Sequence, residues 1–235
     1  MKKSKKKYVY SGKEELDNSS KFLRNYNSGI VKIFLNHFKS KGSKILDFGA
    51  GIGTLSILYE KMSGVKPFCV EIDLENRKSL KSKGFIVFKS IFDSKNNFDA
   101  VFSSNVLEHI EKDEEEINNS LKILNKNGML IILVPAHQKL FSKFDKEIGH
   151  FRRYDLDFFK NLHLQDAKIE KLYYLDSAGY FLYYLNKLFF KNESYPSAFK
   201  IFVWDKFFTP ISLFLDYLTN YKFGKNVLCV IKKIN

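Results

Sequence analysis

Cysteine is nearly missing from this chain: of 235 residues only Cys69 and Cys229 are thiols. Two thiols so far apart supply no disulfide framework, no CxxC pair and no four-ligand zinc site, which points to a reducing, cytoplasmic compartment with both thiols in the core. Long uncharged runs are missing too. No stretch free of Asp, Glu, Lys and Arg exceeds 12 residues, short of the ~20 needed to span a bilayer. The opening MKKSKKK is charged, but no apolar segment follows it, so a secretory signal is not expected. Acidic residues are in deficit, 26 against 39 basic, for a net charge of +13.

What is present suits a globular chain. The hydrophobic fraction of 45% supports a sizeable core, and the length suits one large domain. The positive balance suggests an anionic partner such as nucleic acid, a phosphorylated glycan or a lipid headgroup. A lysine- and asparagine-rich composition from an AT-rich genome would give the same balance with no ligand. The basic residues are scattered, and no RNA-binding module motif accompanies them, which counts against nucleic acid.

Along the chain, residues 1–13 read as a solvated basic tail. Apolar positions between Glu14 and Lys39 recur at helical spacing, with a break expected at Ser28-Gly29. Short apolar runs then alternate with amphipathic stretches. Strands are expected at Lys44–Phe48, Phe68–Ile72, Phe85–Phe88, Ala100–Ser103 and Met129–Val134, with helices at Thr54–Met62, Glu75–Lys83 and Asp113–Leu124. Asn127-Gly128 is expected to separate the last helix from its strand. This pattern predicts an α/β, Rossmann-like doubly wound fold with a mostly parallel sheet. After Pro135 the chain turns polar, then a helix begins at Asp155 and strands follow at Lys168–Tyr174 and Asn226–Ile231. Between those strands, residues 178–222 hold 15 of the 38 aromatic residues. Three readings of them stand open: a helical cap packed as core, a substrate trough, or a face that lies on a membrane, with Lys187, Lys191, Lys200 and Lys206 interleaved.

The segment ILDFGAGIGTLS sets Gly49, Gly51 and Gly53, with Ala50 between them, after the first strand and before the first helix of the core. Glycine there permits a tight turn and lets a ligand approach the backbone. Glu71 ends the second strand, where a carboxylate can accept both ribose hydroxyls. NAD would require glycine at position 54, and this chain has Thr54. The G-x-G-x-G spacing with Asp47 before it resembles motif I of class I S-adenosylmethionine-dependent methyltransferases. FDAVFSSNVLEHI and LKILNKNGMLIILVPA resemble the fourth strand, its loop and the fifth strand of that superfamily. The resemblance implies a seven-stranded sheet and S-adenosylmethionine as cofactor, with Asn105 under its methionine part. Lys89-Ser90-Ile91 would meet adenine, with Ser90 where many relatives carry Asp. Glu108-His109 is read as a structural brace for its loop, with an acid–base pair as the alternative.

NYNSGI, VPAHQKLFSKFDKEIGHFRRY and YKFGKNVLCVIKK resemble one branch of these enzymes that often accompanies glycosyltransferases in bacterial envelope-glycan settings. That implies residues 1–235 as one methyltransferase domain. Residues 1–40 would be tail and lid helices, 41–136 the cofactor core, and 137–235 a substrate loop, a helical cap and the final strands. The lid would place Arg24, Tyr26 and Asn27 over the cofactor. His150 is the expected base for a hydroxyl acceptor, and Arg152, Arg153 and Tyr154 would bind the acceptor through its phosphate or carboxylate. The alternative is a loop pinned by Asp145 or Asp155. No His, Asp and Glu set has ligand spacing, so no metal site is expected. The acceptor class implied is a small molecule, glycan or lipid-linked sugar, with possible peripheral attachment to an anionic inner membrane face. RNA methylation and a non-catalytic membrane-associated protein are the competing readings, and the oligomeric state is open.

Overall fold

The computed structural model describes residues 13–37, 42–94, 97–189 and 198–235. The basic run at 1–12, Lys191 and the side chain of Lys187 lie outside the described residues. The strands are β1 (Ile45–Phe48), β2 (Phe68–Val70), β3 (Val87–Phe88), β4 (Phe98–Ser104), β5 (Leu124–Pro135), β6 (Ala167–Leu175) and β7 (Asn226–Lys233). They form one sheet ordered β3-β2-β1-β4-β5-β7-β6. The β1–β5 pairings are parallel, and β7 runs antiparallel to both β5 and β6. The expected Rossmann-like sheet of seven strands is borne out.

Near-continuous apolar strands bury both faces of the sheet, because alternate residues point to opposite sides. On one side Leu46, Val101, Leu130 and Ile132 pack with Ile117 and Leu121 of α5 (Asp113–Lys122) and Phe159 of α7 (Leu156–Lys160). On the other, Ile45, Ala100, Phe102 and Ile131 pack with Ile30, Val31 and Phe34 of α2 (Arg24–His37) and Tyr59 of α3 (Thr54–Ser63). Helix α4 (Leu74–Ser82) follows β2 and starts at Asp73, whose carboxylate accepts from Glu75 N and Asn76 N. Both thiols are buried and neither forms a disulfide.

Two boundaries differ from expectation. The N-terminal helices break at Leu23, between α1 (Lys13–Phe22) and α2, and α2 runs straight through Ser28-Gly29. A start signal 180 residues away in sequence decides this: Asp205 accepts from Asn25 N at 2.9 Å and Tyr26 N at 2.8 Å. Asn127-Gly128 does not end an element either. It lies inside β5, where the register jumps from Phe98↔Leu124 to Ala100↔Met129 and Asn127 takes a positive φ of 63°, so the turn is absorbed as an irregularity of the strand.

After β5 come α6 (Lys143–Glu147) and α7, then β6. The cap is inserted between β6 and β7 as expected. It consists of α8 (Ser177–Phe189), α9 (Ala198–Val203), a π-helical turn at Trp204–Phe208 and α10 (Thr209–Leu218).

Candidate active site

The parallel strands β1, β2, β4 and β5 end on one edge of the sheet, and the glycine loop, Glu71 and Asn105 follow three of those ends. Gly49 N and Ala50 N donate to Val70 O at 2.9 and 3.0 Å, which ties the glycine loop to the end of β2. Gly49 has φ +82° and a β-carbon there would overlap the Val106 side chain, so only glycine fits. Gly51, at φ +55°, faces the Leu16 side chain of α1, which places that helix against the loop. Gly53 sits at φ +89° as the first cap of α3.

Two acids support this loop. Glu71 Oε2 accepts from Gly51 N and its Oε1 accepts from Asp73 N, both at 2.7 Å. Burial raises the Glu71 pKa against the pull of those two backbone bonds. Asp47 accepts from Ser56 Oγ at 2.5 Å. Burial pushes its carboxyl up to about 7, the Ser56 bond opposes this, and the nearby Glu71 charge adds to it.

Ser90 caps the start of a one-turn 3-10 helix: its hydroxyl accepts from Phe92 N, and its own N–H donates to Asp93 Oδ2 at 2.9 Å. Ile91 beneath it is fully buried. Asn105 follows β4 in a left-handed conformation, φ 53°, with its side chain exposed. Tyr26 is held by Asn226, which donates to its hydroxyl at 2.8 Å. Asn27 is buried and donates to Ser19 O, so it joins α2 to α1, while Arg24 is exposed.

The loop at 149–154 is joined to the same edge, since Tyr154 N donates to Pro135 O at 2.9 Å. His150 has its Nδ1 2.9 Å from Asp145 Oδ1 and its Nε2 3.8 Å from Glu108 Oε1. Asp145 is also bonded by Arg153 Nε at 2.9 Å and Ser142 Oγ at 2.8 Å. Burial opposes charge on Asp145, but the His150 bond and the Arg153 guanidinium prevail and hold its carboxyl well below the usual range. Burial, with the neighbouring His150 ring, lowers the His109 pKa to about 4.

Two members of the expected acceptor-binding set are internal. The Arg153 guanidinium is buried on Asp145, stacks over the Tyr183 ring at 4.7 Å and reaches Tyr183 Oη. The Tyr154 side chain is 1% exposed and its hydroxyl donates to Asp113 Oδ2 at 2.8 Å. In this arrangement both side chains tie the loop to its neighbours. Arg152 also bonds Asp113, at 2.9 Å, and remains about a third exposed. Asp155 pairs with neither arginine and lies 3.5 Å from His137 Nδ1. The sequence reading missed Asp113, whose place in an acidic first turn of α5 marks a helix start and hides its second role. It also missed what topology alone assembles: Glu108 and His109 stand beside His150, forming a set with ligand-like proximity where none was expected.

Residues 20–186 match the methyltransferase domain family, and the chain belongs to it. A search of curated protein sequences finds no match. Among solved structures, the chain resembles one from the complex between a Haloferax volcanii methyltransferase activator and a methyltransferase, at TM-score 0.63 and 12% identity, covering 96% of each chain. The plantazolicin methyltransferase BamL, solved with a triazolic desmethylPZN analogue and S-adenosylhomocysteine, aligns at TM-score 0.61 and 12% identity over 95% of this chain and 91% of that one. A methyltransferase from Archaeoglobus fulgidus aligns at TM-score 0.50 and 21% identity over 88% and 94%. At these identities the likeness is one of fold. Together with the family match it bears out the resemblance to class I methyltransferases.

Proposed function

We propose that this methyltransferase uses S-adenosylmethionine to methylate a hydroxyl of an anionic glycan or lipid-linked acceptor at a membrane surface. The donor supplies a methyl group already activated on a sulfonium. The glycine loop fits such a group: Gly49, Ala50, Gly51 and Gly53 let it approach the backbone, and the Glu71 carboxylate keeps lone pairs for ribose hydroxyls beyond the two it gives to backbone N–H groups. Ser90 and Ile91 flank adenine, while Asn105 and Tyr26 border the methionine end. The chain's main task is alignment and exclusion of water. His150 acts on the acceptor hydroxyl through Nε2, because Asp145 occupies Nδ1, and Arg152 meets its negative charge.

The observation that carries the membrane part of this reading is the inverted cap helix. Along α9, the π turn and α10, the buried positions are Ile201, Asp205, Thr209, Ser212 and Asp216. All but one are polar, and Asp205, Ser212 and Asp216 bond to α2, Asp176 and Ser177. The outward face carries Phe199, Phe202, Phe207, Ile211, Phe214 and Tyr217, with Phe199 75% and Tyr217 73% exposed. A helix washed by water on that side has the opposite arrangement, and an apolar face of this extent marks an interaction surface. Lys200 and Lys206 border it, Lys206 lying over the Phe202 and Phe207 rings, as expected of a helix that lies in an anionic headgroup layer. Among the described residues no helix is long and apolar enough to cross a membrane.

Sedimentation with vesicles tests the proposal. Protein is expected to pellet with vesicles containing anionic lipid, to pellet less as salt is raised, and to be released by joint Phe207→Ser and Phe214→Ser substitution without loss of thermal stability. Absence of binding to anionic vesicles would refute it, and a concentration-dependent dimer dissociated by the same substitutions would assign the face to a second copy of the chain.

A further inference from the structure

A buried carboxylate and two imidazoles converge where the segment after β4 meets the 149–154 loop. Glu108 is fully buried, and His150 Nε2 lies 3.8 Å from its Oε1. The His109 and His150 rings meet edge to face with centroids 4.6 Å apart. One potential ligand atom from each of the three residues lies within 4.8 Å of the others. The orientation of the rings is built into the fold. His150 Nδ1 is 2.9 Å from Asp145 Oδ1, and Asp145 is fixed in turn by Ser142 and Arg153. A carboxylate at Nδ1 keeps the proton there, leaves the lone pair on Nε2 and strengthens that nitrogen as a donor, as carboxylates do behind metal-bound histidines. His109 Nδ1 is placed by the Gly149 carbonyl at 3.3 Å, so one turn of chain positions both rings.

We propose that Glu108, His109 and His150 bind a divalent first-row transition ion, represented by Zn2+, with further coordination positions open toward the acceptor. Two imidazoles and one carboxylate suit such an ion, whereas Mg2+ and Ca2+ take oxygen ligands. Three protein ligands are also the number that leaves a catalytic zinc open. Ligand atoms about 2.0–2.1 Å from a tetrahedral ion stand about 3.3 Å apart, so the 3.8 Å between His150 Nε2 and Glu108 Oε1 closes by side-chain rotation. The site adjoins the methyl-transfer edge, since Val106 packs on Gly49. There the ion takes the Nε2 lone pair and replaces His150 as the group that activates the hydroxyl: it coordinates the acceptor oxygen, the hydroxyl gives its proton to water, the oxygen bonds the methyl carbon, and the sulfur leaves with the electron pair of the bond that breaks. This catalytic role rests on the hydroxyl acceptor proposed above, while the binding site stands without it.

The test is calorimetric titration of Zn2+ into tag-free, chelator-treated full-length protein, with S-adenosylhomocysteine binding and a thermal melt measured on the same samples. One equivalent of Zn2+ is expected to bind wild type. His109→Gln and His150→Gln should each weaken it at least tenfold, and Asp145→Asn by 10- to 100-fold, the scale for an orienting partner. X-ray absorption of the zinc-loaded wild type should show two imidazole nitrogens, which keeps the test decisive if a variant does not fold. Wild type that binds S-adenosylhomocysteine but takes up no stoichiometric Zn2+ would overturn the metal site and leave the methyltransferase reading intact. Zn2+ affinity unchanged in folded His109→Gln and His150→Gln would overturn it as well. Loss of S-adenosylhomocysteine binding with Zn2+ binding retained would instead count against the donor site alone.

Discussion

Replacing Asp145 by Asn tests whether the 142–154 loop is held as an electrostatic unit. The carboxylate is fully buried, as is nearly all of the Arg153 side chain, and their closest atoms are 2.9 Å apart. Asn keeps one acceptor oxygen but removes the charge, so it leaves a buried guanidinium uncompensated. Breaking a buried pair in this way costs about 3–5 kcal/mol, and the retained oxygen sets the expectation at the lower end, about 3 kcal/mol. For a chain of this size that is a fall in Tm of about 6–12 °C. The pH dependence has a definite sign. The folded-state pKa of Asp145 is depressed below its unfolded value of about 3.9. Its contribution is therefore fully present above that unfolded value and is lost as pH falls through the folded one. Thermal melts of wild type and Asp145→Asn should differ by the full amount from pH 6 to 8 and draw together as the pH drops below about 4. Arg153→Met beside Asp145→Asn closes a double-mutant cycle, with an expected coupling of at least about 1 kcal/mol. A loss smaller than about 1 kcal/mol at pH 7, or additive single substitutions, would refute the paired-loop account.

Glu71→Ala should weaken S-adenosylhomocysteine binding by about 1.5–3 kcal/mol, the scale of charge-assisted hydrogen bonds, as read by calorimetry; unchanged affinity would remove Glu71 from the ribose. Asp73 is a poor substitute, because its carboxylate already caps α4. Asp205→Ala removes both bonds that start α2 and should cost about 0.5–2 kcal/mol in a chemical melt, the range for a lost N-cap. The same melt on Gly29→Ala should show a gain of up to about 1 kcal/mol, since Gly29 is mid-helix with open space where a β-carbon would stand. His150→Ala should lower turnover at least roughly a hundredfold with donor affinity preserved, and full retained turnover would make the 149–154 loop purely structural.

The sequence by itself determined the parallel core, the glycine loop and the acid after β2. These are local properties: a strand buried on both faces must be apolar throughout, a left-handed turn against Val106 admits only glycine, and their spacing sets which strand ends adjoin. The inserted cap was legible for the same reason, as an aromatic segment between two strand patterns. Periodicity reports that a helix has two faces but not what each face meets. So the outward turn of Phe199, Phe207 and Tyr217, with Asp205, Ser212 and Asp216 inside, was decided only when α10 found Asp176 and Ser177. Charge pairing was likewise a matter of topology. Arg152 met Asp113 and Arg153 met Asp145 because Tyr154 is bridged to the end of β5, which lays the loop along the chain leaving β4. That same placement carried His150 across 41 residues to His109. Spacing along a chain limits ligand sets only when the ligands share an element, and here the sheet order brought together what the sequence kept apart.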